Sequence, residues 1–534
     1  MASNIAQPVL ILKSGTERTV GRAAQSSNIM AARAIASAVR TTLGPKGRDK
    51  MIVDSAGLVV ITNDGATILD EIKVKHPAAK MMVEVAKTQE EEVGDGTTAA
   101  VVFAGELLEK AEALIEEEVH PSTIVKGYQL AAEKAKEILE ELSFESEESF
   151  VRVAATAMTG KGVSNVDRLS ELVVEAIKAV VREENGEKKV NFKDVTVEKR
   201  IEGSIDDTTL VRGVVLDKTK THQSMPSRVE GAKIALLTAP IEVRKAELKS
   251  ELSLSSASQM KFFLEEEERM IKELVDKVAR SGANAIFCQK GIDDLARHYL
   301  AKAGIFATHR VKKGDLEKLK RATGARIVTS LDDLKESDLG EAGLVEEVKI
   351  GGSEMIFIRD CKYPICASII LRGGTEHVVN SLERAVKDAL RVTAIMIEDK
   401  RMLAGGGACE TELALRLREY ANTLKGREQL AVEKFAEAME VVPRTLAENA
   451  GLDAIDLLVE LRSSHEKGDK NAGLNVFAGK VEDMKTAGVV EPLRVKKQAL
   501  SSGVEAACMI LRIDDVIASK EEKEGKKKPE PIED

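Results

Sequence analysis

Residues 93–100, VGDGTTAA, separate a charged, helix-like stretch, AKTQEEE (86–92), from an apolar one, VVFAGELL (101–108). The segment GDGTTA formally satisfies the dinucleotide fingerprint G-x-G-x-x-G/A. That fingerprint must follow a β-strand, and VEVAKTQEEE, which precedes it here, is helical and charged. A dinucleotide-binding sheet is therefore excluded, and with no G-x-x-x-x-G-K-[ST] anywhere in the chain, so is a P-loop. The octapeptide needs another explanation. Glycines beside Asp95 let the backbone approach a ligand and adopt conformations closed to other residues. Thr97 and Thr98 are good N-cap residues, and the free N–H groups of a helix start attract anions. An aspartate there repels a bare phosphate unless a cation lies between them. Either Asp95 is a Mg²⁺ ligand beside a nucleotide triphosphate, or the segment is an ordinary capped turn; taken alone it leaves both open.

The 534 residues are enough for more than one domain. A 43% hydrophobic and 31% charged composition is that of a globular chain. With no Trp and only 3% aromatics, the core must be aliphatic, and the chain is poorly equipped to stack on bases. Lys and Arg number 79 against 89 Asp and Glu, a net charge of −10 that argues against a phosphate-backbone binder, so no nucleic-acid partner is expected. No apolar run is long enough to span a bilayer and no signal-peptide pattern is read at the N-terminus; a cytoplasmic protein without a membrane partner is expected. The five cysteines are dispersed, and Cys361 and Cys366, which bracket KYPI, lack the further ligands of a zinc site; they are read as free thiols in a reducing compartment.

Three textures follow one another. The outer parts are Ala-rich and helical. Ala32, Ile35, Val39 and Leu43 mark one face of a helix over 28–43 that stops at Gly44-Pro45. KMIVD and LVVIT, separated by SAG, predict a β-hairpin running into Asn63-Asp64-Gly65, and helices fill 80–142. The middle differs. KIALL (233–237), AIFC (285–288), IFAT (305–308) and RIVT (326–329) predict short buried strands of an inserted α/β unit. Between Val243 and Val278 lies a charged excursion whose second half is amphipathic through Met260, Phe263, Leu264, Ile271, Leu274 and Val278. From Lys520 the chain is low-complexity and charged, and disorder is expected there.

Further segments suit a phosphate ligand: TTLGPKG (41–47), NDG (63–65), TAMTGKG (156–162) with Lys161 as a flexible cation, and AGGGA (404–408). Each alone is more often a plain loop. Together with VITNDGATIL, VGDGTTA, LRGGTEHVVNSLERAVKDAL, LAGGGACETEL and VVEPLRVKKQALSSGVEAACMILRIDD, they resemble the signature blocks of the group II chaperonins, most closely the archaeal thermosome branch, with the eukaryotic cytosolic chaperonin subunits as cousins. The resemblance runs from about Thr19 to about Ile517.

It implies a multidomain α and α/β chaperonin fold. Residues 1–146 and 404–534 would form a helical equatorial domain that binds ATP and makes most ring contacts. Residues 147–216 and 368–403 would form an intermediate hinge, and 217–367 an α/β apical domain. The excursion at about 243–278 resembles the helical protrusion of that branch, a built-in lid that group I subunits lack; no separate cap protein is then expected. Leu252, Leu254 and Phe262 would meet neighbouring subunits in a closed lid.

Site residues carry over from the same blocks. Leu43, Gly44 and Pro45 match the segment along the phosphates, Asp95 the magnesium ligand, and Gly96, Thr97, Thr98 and Ala99 the phosphate cradle. Many relatives have Thr or Ser where this chain has Ala99, so one hydroxyl is missing. Gly160 and Lys161 match the loop that senses the terminal phosphate, Gly406 the glycine near the ribose, Asn475 and Val476 the base contact, and Glu491 the acid that binds ribose hydroxyls. Asp388 matches the water-activating carboxylate and Asp64 a second acid that orients the water; read from its helix alone, Asp388 is better explained as a solvated surface residue. The implied function is ATP-driven protein folding, with Mg²⁺ and ATP as cofactors, in a double ring with other chaperonin subunits, of one kind or several, that confines non-native polypeptides. A helix around 291–305, with Ile292, Leu295, Ala296 and Tyr299 on one side, is either a client-binding element or packed core.

Overall fold

A computed structural model describes residues 16–53, 55–57, 59–146, 149–242, 257–363 and 366–519. The chain goes out through one helical body and comes back into it. Helices Arg22–Arg40, Pro77–Glu92, Thr97–Glu116 and Pro121–Leu142 on the way out share one core with Ala408–Ala421, Arg427–Met439, Val441–Ala450 and Leu493–Leu511 on the return. The segment Thr16–Val20 closes the circuit by pairing antiparallel with Asp515–Ser519. Alanine lets these helices approach closely, and the few rings are concentrated at the centre. Phe435 meets Phe103 and Tyr128 edge to face, each with ring centroids 5.6 Å apart. The buried Tyr128 hydroxyl donates to the Leu107 carbonyl at 2.8 Å, so no polar atom of that ring is stranded.

The expected hairpin forms: Lys50–Val53 pairs antiparallel with Val59–Thr62. The first helix differs from its expected span, beginning at Arg22 and ending at Arg40. Thr42 ends it early, because its N–H and its hydroxyl both bond the Val39 carbonyl, at 3.0 and 2.8 Å. Residues 41–47 are thereby freed as a loop.

A second core gathers helices Phe150–Met158, Val166–Val180 and Glu376–Asp399. The third region is a nine-stranded mixed sheet. Arg228–Leu237 lies within it and pairs in parallel with Ala285–Cys288 and Ile327–Val328; Phe306–Thr308 is parallel beyond Ala285–Cys288. These are the four strands expected from their short apolar runs. On the side away from Ala285–Cys288, which it also uses for Ile327–Val328, Arg228–Leu237 pairs antiparallel with Gly340–Ile350; then come Ser353–Cys361, Thr209–Leu216, Ala367–Arg372 and Val195–Arg200, so the sheet continues into the second core.

The excursion resolves into two parts. Residues 243–256, with Leu252 and Leu254, lie outside the described residues, as does the tail from 520. Ala257–Arg280 is a helix as the amphipathic pattern predicts, but from Ile271 onward it is sheet-packing core, with Ile271, Val275 and Val278 buried. The helix near 291–305 spans Asp294–Lys302; Ile292 and Ala296 are core, and Leu295 is exposed. The core reading of that side holds for Ile292 and Ala296, which an open client surface would have left exposed.

Candidate functional site

All the expected site residues except Asp388 line one open cleft with a cavity of about 240 Å³. Its floor is the start of helix Thr97–Glu116. The N-cap is Gly96 rather than a threonine, and no side chain caps the helix, so its first N–H groups remain available beside Thr97, Thr98 and Ala99. Gly94 and Gly96 both lie in the left-handed region, φ 75° and 77°, so the turn that presents Asp95 needs a glycine on each side. Gln89, fully buried, fixes that turn: its Nε2 donates to the Asp95 carbonyl at 2.8 Å and to Val495 at 3.2 Å.

The other loops are pressed against one another, and one against this floor. A Cβ at Gly160 would stand 2.6 Å from Pro45 Cα, one at Gly44 2.2 Å from Leu446, and one at Gly65 2.4 Å from the Thr98 hydroxyl. Asn63 donates to the Gly160 carbonyl. Asp64 N-caps the helix Gly65–Glu71, its Oδ2 accepting from Thr67 N at 2.8 Å and Thr67 Oγ1 at 2.6 Å. On the far wall Gly406, φ 63°, has no room for a Cβ, which would meet Met484 Sδ at 2.8 Å. The Asn475 side chain is already engaged, accepting from Phe477 N and Ala478 N at 3.0 Å each and donating to Glu482 at 2.6 Å. It shapes the hairpin that carries Val476 into the cleft.

Asp388 stands behind the cleft, joined to it by Lys161. The Lys161 ammonium lies 2.6 Å from Asp388 Oδ2 and 3.5 Å from Asp95 Oδ1. Asp388 is 8% exposed, not solvated. Burial, reinforced by Asp64 and Asp95 and opposed by Lys161, lifts its carboxyl to about 7. Burial works against charging Lys161, but the three carboxylates hold its ammonium above the usual range. Three acids against one lysine leave surplus negative charge, which suits a small divalent cation. Asp95 beside open helix N–H groups offers the one or two carboxylates that Mg²⁺ takes together with phosphate oxygens. The residues present therefore fit a Mg²⁺–nucleotide.

Three contributors escaped the sequence reading. Gln89 was hidden in a charged run. Arg391, one helical turn from Asp388, donates to the Glu90 carbonyl, lies 5.0 Å over the Phe192 ring and occupies the space a Cβ at Gly94 would need, at 2.3 Å. Lys496 lines the cleft between Glu491, at 2.8 Å, and Glu410, at 2.7 Å. Burial works against ionising Glu410, but Lys496 and the Cys409 thiol hold its carboxyl below the usual range; burial lifts that of Glu491.

A helical body carrying such a cleft, overhung by a buried acid from a second body that leads to an inserted sheet, defines a chaperonin-type subunit. Residues 35–521 match the model of the TCP-1/cpn60 chaperonin family, and the chain belongs to that family, in its group II, thermosome-type branch. A thermosome subunit of Methanopyrus kandleri is 59% identical over 526 residues, covering 98% of this chain and 96% of its own. Thermosome subunit beta of Archaeoglobus fulgidus is 57% identical, covering 97% and 96%. Among solved structures, the open-state monomer of a group II chaperonin from Methanococcoides burtonii is 50% identical with a TM-score of 0.61, covering 79% of this chain and all of its own. No described helix is long and apolar enough to cross a membrane.

Proposed function

We propose that this subunit folds other proteins in an ATP-driven double ring, closing a built-in lid over non-native clients. In this reading 1–146 and 404–534 are the equatorial domain, 147–216 and 368–403 the intermediate hinge, and 217–367 the apical domain. The observation that carries it is the Lys161–Asp388 pair at the Asp95 turn, which links the hinge helix directly to the cleft. The open N–H groups at Thr97 and Thr98 receive the phosphates, and Asp95 holds Mg²⁺, which neutralises phosphate charge when bound. Asp388, titrating near neutrality, accepts the proton of the attacking water, and Asp64 orients that water. Lys161 exchanges its carboxylates for the terminal phosphate, so nucleotide occupancy alters the contact that holds the hinge. That exchange couples chemistry to domain movement.

Electron microscopy of the full chain should show double rings with a cavity; a small oligomer would remove the double-ring folding cycle proposed here. The lid is tested separately. Because the helix from Ile271 onward is core, the deletion must stop before it: replacing about 246–266 by a short Gly-Ser linker spares the apical packing. Rings of that variant should hydrolyse ATP but fail to shield a trapped client from added protease. Continued shielding would point to a cap supplied by another protein.

A further inference from the structure

We propose that Lys496, anchored by Glu410, is the positioning residue that fixes Glu491 to read the sugar hydroxyls of the bound nucleotide. The inference rests on the nucleotide reading of the cleft and adds to it the device that sets sugar selectivity. Glu491 is held at two points. Its backbone belongs to the short strand Val490–Pro492, in register opposite Leu403, and its Oε2 lies 2.8 Å from the Lys496 ammonium. Its Oε1 has no protein hydrogen-bond partner among the described residues and lies over the Gly405 backbone, 3.1 Å from where a Cβ would stand. Any side chain at Gly405 would displace it.

Lys496 is itself immobilised from behind. Glu410 Oε1 takes the ammonium at 2.7 Å, while Glu410 Oε2 accepts from the Cys409 thiol at 3.0 Å, so the anchoring carboxylate has no freedom to turn. Exposure rises along the row: the side chains of Glu410, Lys496 and Glu491 are 8%, 12% and 25% exposed. Two carboxylates share one ammonium, so the row carries net negative charge, and Glu491 is the carboxylate of the pair that lines the cleft. A carboxylate with one oxygen locked and the other open accepts hydrogen bonds from a vicinal diol, and a sugar lacking one hydroxyl loses part of that interaction. A lysine present only to neutralise buried acids would need no such asymmetry.

The test compares kcat/KM of assembled rings for ATP and for 2′-deoxy-ATP. Lys496→Met should lower the preference for ATP about tenfold, the loss residing in KM for ATP rather than in KM for the deoxy compound. Since that variant leaves two buried acids unpaired, Glu410→Gln/Lys496→Met is measured beside it; it removes the repulsion and should show the same loss. Lys496→Arg, which keeps a cation, should recover part of the preference. Glu491→Gln supplies the reference for a cleft that no longer reads the sugar. Wild-type preference in the assembled double variant, with Glu491→Gln altered, would overturn the role of Lys496 while leaving Glu491 in place. Wild-type preference in Glu491→Gln would overturn the assignment of Glu491 and the proposal with it.

Discussion

Asp388→Ala should leave Mg²⁺–ATP binding close to that of the parent and lower turnover by about 10²–10⁴-fold, the range lost with a positioned general base. The geometry separates the two effects. Asp388 lies behind Lys161 and does not line the cleft, so the helix start, Asp95 and the glycine loops that would hold the ligand survive the substitution. Asp95→Ala should do the reverse, raising the Kd for Mg²⁺–ATP because the metal loses its protein ligand. The pH profile carries an independent signature. The groups facing Asp388 are Lys161, Asp64 and Asp95, and burial with the two acids outweighs the lysine, raising the carboxyl to about 7. Only the carboxylate accepts a proton, so kcat/KM should rise through a one-proton limb near pH 7 and level off above it. That limb should be missing from the residual activity of Asp388→Asn. Near-parental turnover in either variant, measured at saturating ATP, would take the base assignment away from Asp388.

Part of this site was legible because glycines report local backbone geometry, whereas the roles of Glu491, Asn475 and Asp388 were implied only by the resemblance of the signature blocks. Two glycines around one aspartate predict a strained, ligand-facing turn, and the left-handed φ values at Gly94 and Gly96 give the reason. The hairpin at 50–62 and the parallel strands near 233, 285, 306 and 327 were equally plain, since each is a short apolar run bounded by turn residues. The antiparallel half of the large sheet was not. Strands Gly340–Ile350 and Ser353–Cys361 carry Glu, Lys, Arg and Asp on partly exposed positions, which blurs their period. Long-range pairing was the other blind spot. Lys496 and Glu410 are 86 residues apart and Lys161 and Asp388 are 227 apart, and no local pattern encodes either. Asp388 is the clearest case. Its helix is apolar at Val379, Leu382, Val386 and Ala389 in the ordinary way, and burial of the intervening acid follows only from where Lys161 arrives.

Asp194→Ala should destabilise the second core and the large sheet together, by about 3 kcal/mol, because it breaks a buried ion cluster rather than a surface pair. Asp194 is fully buried, with Arg182 2.7 Å from Oδ2 and Arg321 2.7 Å from Oδ1. The two arginines come from different bodies. Arg182 sits in the strand Val181–Glu184 after the second core's helix, and Arg321 in the helix Lys313–Thr323 that packs on the sheet. Lys318, one turn earlier on that helix, adds a bond to the Thr196 hydroxyl at 3.1 Å. The carboxylate therefore ties the sheet body to the second core. With the acid gone the guanidinium groups keep their desolvation and lose their counter-charge, although partial exposure lets each recover some hydration, which places the loss at the low end for buried pairs. For a unit of 150–250 residues that loss corresponds to a fall of roughly 6–12 °C in Tm. Calorimetry should show it in the transition of the second core and the sheet, with the helical body's transition unmoved. Arg321→Met, added to Asp194→Ala, should cost much less than it does alone, since its partner is already missing. Strictly additive losses, or a Tm within 2 °C of the parent for Asp194→Ala by the same size scaling, would mean that the apolar contacts alone hold the two bodies together.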